Sequence, residues 1–351
     1  MMIAVDIALF LEKFGLIVVV ILAALGIALY TTFAERKVAG IIQDRRGPNR
    51  AGPFGLLQPL ADGVKMIMKE EIIPLTSNKW LFILGPNLAM ITAMMTSAVI
   101  PWGNKLELFE RTIDLQIADI NIGVLYIFGV VSMGVYGIMI GGWASNNKFS
   151  LIAAVRGASQ IISYELAMGL SLIALLMITG SLSTKTIVEQ QMANGVWNVV
   201  LQPLGFLIFL ICAFAETNRT PFDLPEAENE LNFGYHQEYS SMKLGFYLFA
   251  EYINMIMSSA LMATLFFGGY DIPFVNEVTL SEKWGTNIVT VLGTLMLLTK
   301  IVGFLFFFMW VRWTIPRFRY DQLMDLGWKK LIPLALINML VTGAVILWLN
   351  K

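Results

Sequence analysis

Long apolar runs decide what this chain can become. Eight stretches approach or exceed the length of a spanning helix, at about 7–33, 80–101, 120–143, 156–179, 199–217, 241–266, 285–311 and 331–350. A hydrocarbon layer about 30 Å thick takes roughly 20 helical residues to cross. Inside that layer only helices and closed barrels satisfy their own backbone groups. The runs lack the alternation of barrel strands. The expected fold class is therefore all-α integral membrane, with eight transmembrane helices, and residues 1–351 read as a single polytopic membrane domain. Only 14% of the residues are charged, against about 25% in a soluble domain. The start, MMIAVDIALFLEKFGL, has no basic region and no small-residue cleavage site, so it reads as a retained first span.

Basic residues orient the bundle. The first, third, fifth and seventh loops and their edges carry 17 Lys and Arg; the other loops and the two termini carry 6, and Lys300 lies inside a span. Positive charge stays on the cytoplasmic side, so the odd loops, about 34–79, 144–155, 218–240 and 312–330, are expected in the cytoplasm and both termini outside. A net charge of -1 excludes bulk attraction to nucleic acid. The chain holds one Cys, Cys212, and one His, His236. An iron–sulfur cluster needs four thiolates and a structural zinc site four ligands, so no metal centre is expected. Cys212 lies in an apolar run and reads as an inert core thiol.

The odd loops hold the chemistry. After the turn cluster GPNRAGPFG, residues Leu56, Leu57, Leu60, Val64, Ile67 and Met68 recur at helical spacing with polar residues between them. That pattern predicts an amphipathic helix, with Pro59 in its first turn. It could lie on the bilayer, cover the bundle ends or dock a partner. Glu35 and Arg36 close the first span, and Asp44, Arg45 and Arg46 follow. The fifth loop, AETNRTPFDLPEAENEL, gathers Glu216, Asp223, Glu226, Glu228 and Glu230, offset within the loop by Arg219 alone. Crowded carboxylates beside a low-dielectric wall can share protons; the alternative is an ordinary solvated acidic loop.

Glu165, Glu251 and Lys300 lie some nine to eleven residues inside their spans from the cytoplasmic end, a common depth of about 14–17 Å at 1.5 Å per residue. A charge there costs about 2.5–3.5 kcal/mol on insertion scales. The three suggest one polar layer, to which Tyr164 and Tyr126 could add hydroxyls. A structural Lys–Glu pair would strand the second glutamate; carboxylates that take up and release protons would not. Together with Glu216 they outline a candidate proton path from the cytoplasmic face.

These same residues carry a family resemblance. The segments AERKVAGIIQDRRGPNRAGPFGLLQPLADGVKMIMKE, RGASQIISYELAMG, AETNRTPFDLPEAENEL with GYHQEYSSMKLGFYLFAEY, and WVRWTIPRFRYDQLMDLGWKKLIP are similar to the family of quinone-site membrane subunits of respiratory complex I. Its members are the H subunit of bacterial NADH:quinone oxidoreductase and, in mitochondria, NADH dehydrogenase subunit 1. The resemblance spans essentially the full length and implies an eight-helix subunit that walls the quinone chamber and its entrance. Matched position by position, it implies chamber and entrance roles for Glu35, Arg36, Arg45, Asp62, Glu226 and Glu228. It places Glu165, Glu216 and Glu251 on a buried proton path toward antiporter-like subunits. The implied substrate is a quinone (ubiquinone or menaquinone). The chain itself would hold no cofactor, with FMN and Fe–S clusters carried by partner subunits. The implied location is the bacterial inner membrane rather than the mitochondrial one. No role for His236 follows. Two alternatives remain: the related membrane subunit of a membrane-bound [NiFe] hydrogenase, which lacks the full ETNRTPFDLPEAENEL run, and a stand-alone secondary transporter binding at Glu165, Glu251 and Lys300. Transporter-like repeats and broken helices are missing.

Overall fold

The computed structural model describes residues 7–108, 111–273, 275 and 277–349. The first apolar run folds as α1, Ile7–Ile42. This helix continues beyond the expected boundary at 33, so Glu35 and Arg36 sit on a helix rather than in a loop. The amphipathic helix forms as α2, Gln58–Met68, with Pro59 in the first turn. Its Leu60, Val64, Ile67 and Met68 stay exposed.

Asn78 caps α3, Lys79–Met95, by accepting from the Trp80 and Leu81 N–H groups, the ordinary solution for orphan donors at a helix start. Next comes α4, Gly123–Ala144, and then α5, Lys148–Thr179, capped by Asn147 and ended by Gly180 at φ 64°. The 32 residues of α5 run about 48 Å, well beyond the bilayer core. The surface helix α6 covers Thr184–Asn194. The fifth apolar run is divided: Asn198–Leu201 forms a separate turn and α7 spans Pro203–Glu216. Pro203 has no N–H to continue the preceding turn. The remaining long helices are α8, Ser241–Phe266, and α9, Thr286–Thr314. The last is α10, Tyr320–Leu349, which includes a π-helical turn at Leu326–Leu331.

Seven of these helices (α1, α3, α4, α5, α8, α9 and α10) are long and apolar enough to cross a membrane among the described residues, and the 14-residue α7 is shorter. The chain is thus a predominantly helical, multi-pass membrane protein. One departure from all-α is local. The second loop forms a hairpin of β1, Lys105–Leu108, and β2, Arg111–Asp114, in antiparallel register with Leu106 opposite Ile113. Its strands are too short for the sequence alternation to have stood out.

Packing is uneven. In α8, 78% of the apolar window is buried, against 22% in α1 and in α10, so α8 is the central helix and the other two present surface to lipid or to partner chains. The seam between α3 and α4 is made by glycines. A Cβ on Gly85 would stand 2.9 Å from the Gly141 Cα, and one on Gly137 2.9 Å from the Ala89 N. Small residues let helix backbones approach where no hydrophobic effect drives association.

Candidate functional site

The loop-rich, basic end of the bundle holds a buried network of charge. Glu35 on α1 is 6% exposed. It accepts a 2.6 Å hydrogen bond from the Tyr252 hydroxyl and pairs with Arg312 from the end of α9. Arg219, from the loop after α7, stands 3.6 Å from Glu35 through Nη1 and 3.9 Å from Glu251 Oε2 through Nη2. Its guanidinium lies 4.2 Å from the centre of the Tyr252 ring. Burial opposes the Arg219 charge, but Tyr252, Glu35, Glu251 and Glu226 outweigh it and raise its pKa, so the cation persists.

On the far side of Glu251, Oε1 accepts from the Tyr235 hydroxyl at 3.0 Å. His236 fits between two carboxylates, Nδ1 3.4 Å from Glu226 Oε1 and Nε2 3.9 Å from Glu251 Oε1. The imidazole is fully buried, and neither ring nitrogen makes a hydrogen bond. Burial, helped by the Arg219 charge, lowers the His236 pKa to about 3, which keeps the ring neutral near pH 7.

Local sequence explains how this loop is held. Gln160 on α5 is fully buried, and its amide donates to the Ala215 and Phe222 carbonyls at 2.6 and 2.8 Å and reaches Asn218 Oδ1 at 3.3 Å. One side chain thereby ties down both ends of the turn that carries Arg219. Arg219 is not the only offset to the loop carboxylates. Arg317 pairs with Asp223 at 3.0 Å and Arg156 with Glu230 at 2.5 Å. These cations arrive from loops distant in sequence, which is why the acidic run looked uncompensated.

Two spaces adjoin the network. A cavity of about 300 Å³ opens between α1, α2 and α8, with Glu35, Arg36, Asp62, Phe249, Tyr252 and Arg312 among its lining residues. Arg36 and Asp62 face each other across 2.8 Å there. A narrower cavity of about 40 Å³ touches Glu216, Asn218, Tyr235 and Glu251, room for a few waters between polar groups. A further small space joins Glu216 to Thr96, Asn254 and Ser258.

The structure therefore brings together Glu35, Arg36 and Asp62, and separately links Glu226, Glu251 and Glu216. Glu165 pairs with Ser132 and interacts electrostatically with Glu216. Other residues fall elsewhere. Arg45 is exposed and donates to Gln43 at 2.7 Å. Glu228 begins a short helix, Glu228–Leu231, and its side chain lies outside the described residues. Tyr164 donates to the Leu323 carbonyl at 2.8 Å, holding α10 against α5. The expected layer of Glu165, Glu251 and Lys300 does not form. Lys300 Nζ donates at 2.8 Å to each of the Phe267, Gly269 and Asp271 carbonyls, beyond the last residue of α8. Glu251 is sixteen residues earlier than Phe267, about 24 Å along the axis. Because α9 runs on to Thr314, Lys300 lies fourteen residues, about 21 Å, from its cytoplasmic end, against ten for Glu251 in α8, and its stem extends further away. Tyr252, Tyr235 and Arg312 escaped the sequence reading because no local pattern marks them; His236 stands out as the one histidine, but no role follows from that.

A family profile described as NADH dehydrogenase matches residues 14–343. The chain is 66% identical over 337 residues to NADH-quinone oxidoreductase H subunit 1 of Cytophaga hutchinsonii, covering 96% of this chain and 97% of that protein. It is 64% identical to the NADH-quinone oxidoreductase H subunit of Flavobacterium johnsoniae, covering 97% and 96%. At greater distance it is 49% identical to NADH-quinone oxidoreductase H subunit 1 of Geobacter metallireducens, covering 98% of each.

Proposed function

The chain belongs to the NADH dehydrogenase family, that of the 1/H membrane subunits of complex I, and on that premise we propose that it forms the membrane-side wall and entrance of a quinone chamber and couples quinone reduction to proton translocation. The observation that carries this reading is the position of Glu35. The same carboxylate lines the 300 Å³ cavity and pairs with Arg219, whose other nitrogen approaches Glu251. A quinone tail suits the apolar surface of α2 and α8, and Arg36, Asp62 and Arg312 make the polar part of that cavity. Chemistry at the chamber then acts on charges already in contact with the bundle interior.

The path runs from Glu35 through Arg219 to Glu251, across the small cavity to Glu216, and on to Glu165 with Ser132. Such a stepwise arrangement is needed. At about 14 Å and an effective dielectric of about 20, one unit charge shifts another by only about 1 kcal/mol. Glu226 and Glu228 belong to the chamber side of the path. Lys300 and Tyr164 are left out of it: the Lys300 ammonium is held at the carbonyls beyond the end of α8, and the Tyr164 hydroxyl at the Leu323 carbonyl. Counting α7 with the seven longer helices gives eight spans, both termini outside, in the bacterial inner membrane. The partners would be the soluble quinone-site subunits and the small and antiporter-like membrane subunits. FMN and the Fe–S clusters would lie in the soluble partners, and no redox centre in this chain.

Glu216→Gln in the assembled complex tests the path. The expected result is a fall of about tenfold in both NADH:quinone reduction and proton uptake, the factor that 1.4 kcal/mol of lost coupling represents. Normal rates of both would refute the path.

A further inference from the structure

The most unusual buried group is His236. A fully enclosed imidazole normally donates one N–H and accepts at its other nitrogen. Here both nitrogens lack hydrogen bonds, and each faces a carboxylate, Glu226 on one side and Glu251 on the other. One ring nitrogen of His236 and one oxygen from each glutamate lie within 4.8 Å of one another. We propose that Glu226, His236 and Glu251 form a binding site for a divalent transition metal of the zinc class, and that occupation of this site slows turnover.

The donor set is the right kind. Zn²⁺ takes imidazole nitrogen and carboxylate oxygen at about 2.0–2.2 Å, with a water free to fill the fourth position. Two carboxylates and one imidazole favour a borderline metal over Mg²⁺ or Ca²⁺, which prefer oxygen alone. Tetrahedral bonds of about 2 Å require donors about 3.3 Å apart, so the three must draw in by at most about 1.5 Å. Glu226 can supply the movement. It sits in the loop between α7 and α8, and its side chain is 15% exposed where the other two are at or below 8%. That exposure also gives the ion a way in from the basic face.

The oxygens around the ring favour a cation: Glu226 Oε1 faces Nδ1 and Glu251 Oε1 faces Nε2. Arg219 holds Glu251 by Oε2, so Oε1 is the oxygen turned to the imidazole. Tyr235 already donates to that oxygen at 3.0 Å and supports the ligand from outside, as metal-bound carboxylates commonly require.

Binding and inhibition are separable. Inhibition rests on the proton path proposed above, because a metal on Glu251 removes it from proton exchange; binding rests on the three ligands alone. The test uses the assembled complex in detergent, with added Zn²⁺ as the probe. Zinc-edge X-ray absorption should show N/O ligands with one imidazole and no sulfur for the most tightly bound added ion. Equilibrium dialysis should show that ion weakened by at least about tenfold in His236→Asn and again in Glu226→Gln. Each variant's quinone reduction, normalised to its own zinc-free rate, should need correspondingly more zinc for half inhibition. Sulfur in the first shell, or binding unchanged in both variants, would overturn the site. Should the ion bind through His236 while quinone reduction runs undiminished, the slowing of turnover is overturned, and with it the role given to Glu251; the metal site itself stands. The wild-type spectrum decides the ligand class even if a variant fails to assemble.

Discussion

Replacing Arg219 with Gln should unmake the network more than any other single change. Its two carboxylate contacts, at 3.6 and 3.9 Å, amount to about 4–5 kcal/mol of gross attraction each at an effective dielectric of about 20. Much of that is offset by the cost of taking three charges out of water. What the substitution leaves behind decides the outcome. Glu35 keeps Arg312 and Tyr252, whereas Glu251 keeps only the Tyr235 hydroxyl and the neutral His236. Removing one partner of a buried pair typically costs about 3–5 kcal/mol because the other charge is stranded. At a few degrees per kcal/mol, thermal inactivation of the assembled complex should move down by on the order of 10 °C. The double variant Arg219→Gln with Glu251→Gln should recover part of the loss, since it leaves no stranded carboxylate, and a double-mutant cycle measures that recovery. Arg219→Lys should fall between, because a compact ammonium does not span both carboxylates as the fork does. If Arg219→Gln inactivates within about 2 °C of the parent, or the two changes add without interaction, the network is not held by these charges and the argument fails.

Three further outcomes follow from the same geometry. Lys300→Met should destabilise the complex by about 3 kcal/mol or more, since three carbonyls lose a charge-assisted donor. It should leave the ratio of protons moved to NADH oxidised unchanged; a lowered ratio measured in vesicles would return Lys300 to the proton path. His236 is held neutral down to about pH 3, against an ordinary value of 6.5. Between those values the opened loop binds a proton that the closed loop excludes, so closure weakens as pH falls below 6.5, by up to about 1.4 kcal/mol per pH unit. Hydrogen-exchange protection across residues 226–240, with the intrinsic exchange rate at each pH divided out, should therefore fall on acidification, and His236→Asn should flatten that dependence. Gly137→Leu should block assembly, because its Cβ already meets the Ala89 backbone at 2.9 Å, and a normal yield of complex in the membrane would refute the close α3–α4 seam.

Much of the fold was legible because the bilayer leaves few options. Apolar length located the helices, and the amphipathic α2 came out with its proline where the pattern required. Boundaries were weaker. Hydropathy ends α1 near residue 33, yet the helix runs on to Ile42, because charged residues such as Glu35 and Arg36 remain good helix formers after the apolar run stops. The fifth run broke at Gln202 and Pro203, where the Gln202 side chain bonds to Thr342 and Asn338 of α10. The site divides in the same way. Unusual residues such as Glu216 and Glu251 announce themselves as carboxylates in apolar runs. Their partners do not, since Arg312 and Tyr252 are unremarkable until the chain brings them in from distances of up to 277 positions. Lys300 shows the converse, a charge inside a span that hydropathy marks as unusual but whose ammonium is taken up by backbone carbonyls.

Glu251 and Tyr252 are neighbours on α8, the most enclosed helix of the bundle. One faces Arg219 and the imidazole, the other Glu35 and the larger cavity. Successive side chains on a helix diverge by about 100°, so a small axial roll of α8 swings both at once, drawing one toward its partner as the other leaves. Occupancy of the larger cavity and the internal charge are thereby geared to one shaft. An inhibitor wedged beside Tyr252 would arrest Glu251 without touching it.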